Sequence, residues 1–355
     1  MKNFIVIASL LLTVPLIAQT KVVKKNAVKS NNFGVTYTLP LTTFIVDAEV
    51  TKVTSKAGPY YKYAEKYLGV KEVITEDKTL YLIDKITLQN KGIPDKDNTY
   101  IVEFKSGTLA PYVYLTEEGM LCTINAEFET LQNQADSVKK KKAAPASVTP
   151  ASVLSEELLM AGSTAKQAEV AAKQIYRIRE SRLNILTGEA DNLPPDGEAM
   201  KLVIEQLEQQ ERALTNLFTG VVTKESSTST FTIHPTGDMD KEILFRFSDL
   251  LGVLDADDLG GAPVYLNLTA TEKAPVLDPK EAEKKEKSMK GIIYNIPGKA
   301  SIEIKLNNKT LYKGEEQVTQ FGSKESLAPS MLEDKKAPVK VYFYPETGAI
   351  KQIIQ

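Results

Sequence analysis

Alternating apolar and polar residues dominate two stretches of the chain, residues 33–128 and residues 221–355. Residues 33–39 and 100–104 in the first stretch, and residues 243–247 in the second, are rich in β-branched and aromatic side chains. Runs of this kind are typical of strands with one buried face. Because no strand–helix–strand alternation appears, the pattern predicts antiparallel sheets arranged as a sandwich or a barrel.

Between these stretches the apolar residues follow helical spacing. Residues 165–186 are rich in alanine, and residues 198–218 carry an apolar stripe opposite a face of Glu, Gln and Arg. Gly188 and the Pro194-Pro195 pair interrupt the pattern, which predicts two amphipathic helices in an antiparallel hairpin. We interpret the stripes as packing on each other and on a sheet; the alternative is a partner-binding face.

The expected architecture is an α+β fold, mainly antiparallel β, in which a helical hairpin is inserted between two β-rich lobes. The first lobe covers residues 19–132, the hairpin residues 153–220 and the second lobe residues 221–355. Residues 133–152 contain four consecutive lysines followed by Ala, Pro and Ser. Such a segment cannot pack a core, so an exposed linker or long loop is predicted there.

Four shorter features are predicted from turn and capping residues. They are a short helix at residues 59–68 ended by Gly69, a turn at residues 94–98, a mobile charged loop at residues 280–290, and a hairpin turn at residues 345–348.

The N-terminus has the pattern of a secretory signal peptide. Lys2 precedes an apolar run at residues 4–17, and the small residue Ala18 follows it. This pattern predicts that residues 1–18 are removed on export. The run is shorter than the about 20 apolar residues of a membrane span. With no cysteine near the cleavage site, we expect a periplasmic or secreted protein that is not a lipoprotein, with no transmembrane segment in the mature chain.

Charge and cysteine content narrow the choice of partner and compartment. The chain has 355 residues and a formal net charge of −2, which argues against a nucleic-acid partner. Cys122 is the single cysteine, so no disulfide can form within the chain. We interpret Cys122 as a small buried residue. An exported chain without disulfides is typical of a bacterial envelope.

Side chains that carry catalysis are scarce. With only His234 and Cys122, a histidine–cysteine metal centre cannot be built, and we expect no metal and no cofactor. Asp255 and Asp257 start a calcium-loop pattern, but Leu266 stands where the last ligand belongs, so an acidic turn is the preferred interpretation. Two carboxylates would suffice for glycoside hydrolysis, so that activity stays open, although the chain has no tryptophan to stack a sugar.

Tyrosines cluster on the predicted short helix. Tyr60, Tyr63 and Tyr67 share one face, and Tyr61 lies beside them. Tyrosine combines an apolar ring with a hydroxyl. The cluster is therefore a candidate ligand-binding platform for a sugar or peptide, and a face that seals the helix onto a sheet is the alternative.

The chain carries the motifs AGPYYKYAEKYLGV from residue 57, LEQQERALTNLFTG from 207, ILFRFS from 243, IPGKA from 296, QFGS from 320 and YPETGAIKQI from 344. Together they resemble an uncharacterised family of exported Bacteroidetes proteins, known as domain of unknown function 4831. The resemblance spans nearly the whole mature chain, implies an envelope location and transfers no catalytic residue. In such a bacterium, Ser137 within Asp136-Ser137-Val138 would match a short O-glycosylation sequon.

The sequence favours a non-catalytic envelope protein that binds or assembles an unknown protein or glycan partner. A carboxylate-based glycan hydrolase is the alternative, and an assembly subunit that uses its sheet edges is a third hypothesis. The choice between enzyme and binding module stays open from sequence, as do the ligand and the oligomeric state.

Overall fold

The computed structural model describes residues 21–24, 34–103, 113–127, 155–191, 197–328, 331 and 339–355. The predicted signal peptide, the linker at residues 133–152 and the proposed glycosylation site Ser137 lie outside the described residues. Among the described residues, no helix is both long enough and apolar enough to cross a membrane.

Strands account for most of the regular structure, and five α-helices and a 3-10 helix at Tyr61–Tyr63 accompany them in the described residues. The strands are β1 (Lys21–Lys24), β2 (Gly34–Lys56), β3 (Lys78–Glu103), β4 (Val113–Leu115), β5 (Leu121–Ile124), β6 (Val221–Ile233), β7 (Met239–Ser248), β8 (Gly252–Leu254), β9 (Ala262–Glu272), β10 (Ile292–Leu306), β11 (Lys309–Leu327), β12 (Lys340–Phe343) and β13 (Ile350–Ile354). The helices are α1 (Ala64–Leu68), α2 (Glu156–Met160), α3 (Thr164–Thr187), α4 (Gly197–Thr219) and α5 (Pro279–Ser288).

The described strands form three sheets, and their pairing is antiparallel throughout. The first sheet has the order β1-β3-β2-β6, the second β11-β10-β9-β7-β8 and the third β13-β12-β5-β4. This arrangement, with the helical pair α3–α4, confirms the predicted mainly antiparallel α+β fold.

The first and second sheets pack face to face around the largest apolar cluster. Phe44 and Val50 of β2 face Phe245 of β7, Leu266 of β9 and Ile302 of β10, and each is at most 2% exposed. Burying side chains of this size stabilises the fold by about 1.5–3 kcal/mol each. The alternation read from the sequence therefore identifies the face of each strand that builds this core.

The first sheet combines chain segments from both sides of the helical pair. β6 follows α4 directly and pairs with β2, from Lys56↔Val221 to Phe44↔Ile233. The apolar cluster between the sheets likewise combines residues from before and after the helices. The helical pair is thus an insertion between two strands that are neighbours in one sheet.

A second apolar cluster joins the start of β2 and the end of β3 to the third sheet and the start of β10. Tyr37 is fully buried there and stacks on Tyr100, with ring centroids 5.7 Å apart. The Tyr37 hydroxyl donates to the Ile293 carbonyl oxygen at 3.2 Å and accepts from the Ile293 N–H at 2.9 Å. This tyrosine therefore bonds a backbone segment that is remote in sequence.

Replacing Tyr37 with phenylalanine is expected to lower the free energy of unfolding by about 1–3 kcal/mol, because both backbone groups of Ile293 lose a buried partner. Burial raises the pKa of Tyr37 well above its usual value and that of Tyr100 to about 12. Unfolded tyrosines release their protons near pH 10, so wild-type stability is full below pH 10 and falls as the pH rises towards 12. Urea unfolding at pH 8, 10 and 12 should show a shallower alkaline decline for Tyr37→Phe; an equal decline would contradict this account.

The helices α1 to α4 form a third layer with its own apolar cluster. α3 and α4 run antiparallel: Arg179 pairs with Glu211 at 2.6 Å, and Arg182, further along α3, reaches back to Glu208 at 3.9 Å. Ile175 of α3 and Phe218 of α4 are fully buried in this cluster. The predicted hairpin is confirmed, but its apolar stripes pack on the short helix α1 and the turn before it rather than on a sheet in the described part of the chain.

Two local predictions need correction. The predicted charged loop at residues 280–290 is wrong, because residues 279–288 form α5, which begins at the side-chain cap Asp278 and carries a Glu283–Lys287 ion pair. The predicted turn at residues 94–98 does not end a strand: β3 continues through it, with Pro94 opposite Pro40 and the next residues bulging out. Proline fits there because a bulge tolerates a missing N–H.

Candidate functional site

A groove lies on the outer face of the third sheet, and we call it the β12 groove. Its volume is about 1070 Å³, close to the upper end of the range of small-molecule sites. It is lined by Cys122, Thr123, Asn125, Ala126, Glu127, Lys340, Tyr342, Phe343, Tyr344, Pro345, Glu346, Lys351, Gln352 and Ile354.

Alternation along β12 explains which side chains reach this groove. Val341 and Phe343 are buried in the second apolar cluster, so Lys340 and Tyr342 point to the opposite face. Tyr344 follows at the end of the strand and is 43% exposed. The third sheet thus presents two tyrosines on a face whose reverse side is core.

The turn between β12 and β13 is held rigidly against the body of the protein. The N–H groups of Thr347 and Gly348 both donate to the Tyr344 carbonyl oxygen, which closes the predicted hairpin turn. The side-chain amide of the buried Asn295 donates to the carbonyl oxygens of Thr347 and Pro40, each at 3.0 Å. Because this turn carries Tyr344 at its start, these bonds also fix the position of the second groove tyrosine.

Charged and amide groups surround the two tyrosines. Lys340, Lys351, Glu346 and Gln352 all line the groove. The Lys351 ammonium lies 5.7 Å from the centre of the Tyr344 ring, a cation–π distance. Aromatic rings lie here beside hydrogen-bond donors and acceptors and beside side chains of both charges. This combination suits a polar ligand with apolar ring faces better than a purely ionic ligand.

Cys122 lines the β12 groove but is a poor nucleophile there. It is 1% exposed, and its thiol lies 3.8 Å from the Met120 carbonyl oxygen. Burial, with smaller contributions from Glu346 and Glu118, raises the pKa of Cys122 to about 11. The thiol is therefore protonated near neutral pH, and the interpretation of Cys122 as a small buried residue is confirmed.

The four tyrosines singled out by the sequence lie on the helical layer. Tyr60 is 6% exposed and packs on Phe218, with ring centroids 5.5 Å apart. Tyr63 and Tyr67 are partly buried against the same cluster, and Tyr61 is partly exposed. None of the four lines the β12 groove, and their role as a ligand platform stays a prediction.

The remaining candidates do not assemble into one centre. His234 is exposed, and its Nδ1 lies 3.2 Å from the Thr43 hydroxyl. The loop at residues 255–258 closes as a turn through a bond from the Asp258 N–H to the Asp255 carbonyl oxygen. Within the described ranges, no cluster of three or more His, Cys, Asp or Glu could hold a metal ion.

A smaller groove beside the same turn carries carboxylates from Glu315, Glu316 and Glu346. The two oxygens of Glu316 accept hydrogen bonds from the side-chain amide of Asn90 and the hydroxyl of Tyr312, both at 3.1 Å. The Asn90 bond ties β11 to β3, the Tyr312 bond lies within β11, and Glu316 thus has a structural partner on each oxygen.

Sequence reasoning missed Tyr342 and Tyr344 as site residues. The signal was present, because Tyr342 alternates with two buried residues and Tyr344 opens a predicted hairpin turn. Alternation indicates which face of a strand is outward but not whether that face is concave. The groove becomes evident only when β5, β12 and β13 are placed side by side.

Comparison with known proteins gives one match. A family model described as "Domain of unknown function (DUF4831)" matches residues 33–351. No curated protein and no solved structure matches the chain.

Proposed function

We propose, from the premise that the chain belongs to the DUF4831 family, that it is a non-catalytic exported envelope protein whose β12 groove binds a glycan. The observation that carries the proposal is the pairing of Tyr342 and Tyr344 with Lys340, Glu346 and Gln352 in one open groove. A sugar ring has an apolar face that packs on an aromatic ring and hydroxyls that exchange hydrogen bonds with such side chains. Neither contact requires a reactive group.

Binding without turnover is supported by the chemistry of the groove. Its thiol is protonated near neutral pH because of burial, and it lies beneath the surface. The exposed histidine His234 lies at the end of β6, bonded to Thr43, and does not line the groove. We therefore assign the groove a role in recognition and no role in a reaction.

The envelope location rests on the N-terminal sequence. The lysine, the apolar run at residues 4–17 and Ala18 form the pattern of an export signal. A glycan partner fits this location because polysaccharides are abundant at a bacterial surface. We infer from the same pattern that the protein is periplasmic or secreted.

Replacing Tyr342 and Tyr344 together with alanine is expected to weaken glycan binding by about tenfold or more, the equivalent of about 1.4 kcal/mol. Both side chains point away from the core, so far-UV circular dichroism should stay unchanged. The measurement is affinity electrophoresis or calorimetry with polysaccharide extracted from the envelope of the source cell.

Tyr61→Ala is the matched control, since it removes one partly exposed tyrosine from the helical layer. Unchanged binding by Tyr61→Ala, with loss in the double variant, supports the proposal. Equal binding by wild type and the double variant, or loss only in Tyr61→Ala, would overturn it.

A further inference from the structure

We propose that β6 pairs with β6 of a second copy of this chain, antiparallel across a two-fold axis at Ser227, to form a homodimer with one continuous eight-stranded sheet. In this dimer the order β1-β3-β2-β6 continues into β6-β2-β3-β1 of the partner subunit.

β6 presents a long, regular and uncovered edge. One side pairs with β2 along all thirteen residues without a bulge. β6 ends the strand order of its sheet, so its other side pairs with no strand in the described part of the chain. Residues 221–228 are exposed on both faces. The outward N–H and C=O groups are therefore available to another strand.

The sequence of β6 leaves part of this edge open to pairing. Sheet edges are commonly protected by proline, bulges or charged residues. β6 has no proline, and its charges, Lys224 and Glu225, lie in its first half. The segment from Ser226 to Thr232 is uncharged and carries mainly serine and threonine, which pair across strands without steric conflict.

Charge complementarity supports a second copy of the chain as the partner. A two-fold axis places one residue opposite itself. An axis at Lys224 or at Glu225 would oppose like charges, which is destabilising. An axis at Ser227 instead places Lys224 opposite Thr230 of the partner subunit. Within each copy the Thr230 hydroxyl donates to Asp47 at 2.6 Å. The dimer therefore brings Lys224 of each copy towards a carboxylate of the other copy, so the approach occurs at two symmetric places.

The outer face next to the edge supports the same assembly. Val222 is 51% exposed on β6, and Leu82 is 53% exposed two strands away. Leu82 lies opposite Thr51 of β2, which lies opposite Ser226, so this row reaches the edge. Pairing at β6 would continue this outer face, with its exposed Val222 and Leu82, into the second copy.

The test is the mass of the purified protein by light scattering and sedimentation across a concentration series. Wild type is expected to be a dimer. Ser227→Lys places two like charges opposite each other and is expected to raise the dimer dissociation constant at least about tenfold. Thr269→Lys is the control, because it adds the same charge to an exposed position on β9, a strand paired on both sides.

A second variant tests the register without perturbing charge. Ser227→Cys would place two thiols opposite each other at the axis, close enough for a disulfide under mild oxidation. The native Cys122 is buried, so the new thiol dominates the reaction. A covalent dimer for Ser227→Cys and none for Thr269→Cys supports the proposal. A monomeric wild type, or a dimer that Ser227→Lys leaves intact, would overturn it.

Discussion

Gly322→Ala is expected to lower the free energy of unfolding by about 3 kcal/mol or more, and to be among the most damaging single-methyl additions in this chain. β11 bulges at residues 319–322 opposite Pro297 of β10. A Cβ on Gly322 would overlap the carbonyl oxygen of Ile296 and crowd the backbone of Pro297. Because these are backbone atoms of a neighbouring strand, a side-chain movement cannot relieve the overlap.

The bulge at Gly322 also links the two main sheets. The Thr42 N–H donates to the Thr319 hydroxyl at 2.8 Å, and the Gln320 amide donates to the Thr42 carbonyl oxygen at 2.8 Å. Thr42 is fully buried, so these bonds satisfy backbone groups that water cannot reach. Displacing the bulge therefore breaks contacts in β2 as well as in β11.

Gly237→Ala is the matched control, because a Cβ there has no neighbour within 4 Å. Urea unfolding of both variants should shift the midpoint strongly for Gly322→Ala and little for Gly237→Ala. Similar midpoints for Gly322→Ala and wild type would show that the two strands are not as close as described.

Phe218→Ala is expected to cost about 3–5 kcal/mol, since it removes a fully buried aromatic ring from the helical layer. The ring packs on Tyr60, and the adjacent Leu217 carbonyl oxygen accepts the Tyr60 N–H at 2.8 Å. The loss should therefore fall on the turn before α1 as well as on α4. Hydrogen exchange should show faster opening of residues 60–68 than of the β-sheets.

Leu202→Ala provides the comparison on the same helix. Leu202 is 59% exposed, so its truncation should change stability by less than about 0.5 kcal/mol. Equal effects of the two truncations would contradict the packing of α1 on the end of α4.

The pattern of apolar and polar residues predicted the helices and strands better than it predicted how they are arranged. Gly69 and Gly188 adopt left-handed conformations at the C-terminal ends of α1 and α3. Because each glycine follows an apolar run, the sequence predicted where both helices end. The run at residues 280–290 has no apolar stripe, and its helix depends instead on the Asp278 cap and on ion pairs such as Lys285–Glu325. A pattern search for apolar periodicity cannot detect such a helix.

The pairing of strands that lie far apart along the chain could not be predicted from the sequence. β2 and β3 run through Pro40 and Pro94, residues that indicate breaks when a strand is read by itself. The two prolines lie opposite each other, next to a bulge, where neither missing N–H disrupts the ladder. The pairing of β6 with β2 is equally invisible, because the residues are joined through the helical pair and separated by more than 160 positions.

The family match confirms the resemblance. The motifs that carry it meet where two backbone segments pack closely together. The motif starting at residue 57 meets the end of the motif starting at 207, where a Cβ on Gly58 would overlap the Leu217 carbonyl oxygen. The motifs starting at 296 and 320 meet at Gly298 and Gly322. Glycine is required at these positions because the backbones approach closely. This structural role accounts for the glycines of the motifs without a role in a reaction.

Chemical-shift mapping of the backbone amides, with and without envelope polysaccharide, tests the glycan-binding groove most directly. The account predicts perturbations confined to residues 122–127, 340–346 and 351–354, the segments that line the β12 groove. Perturbations centred on Tyr60, Tyr61, Tyr63 and Tyr67, or none at saturating polysaccharide, would contradict it.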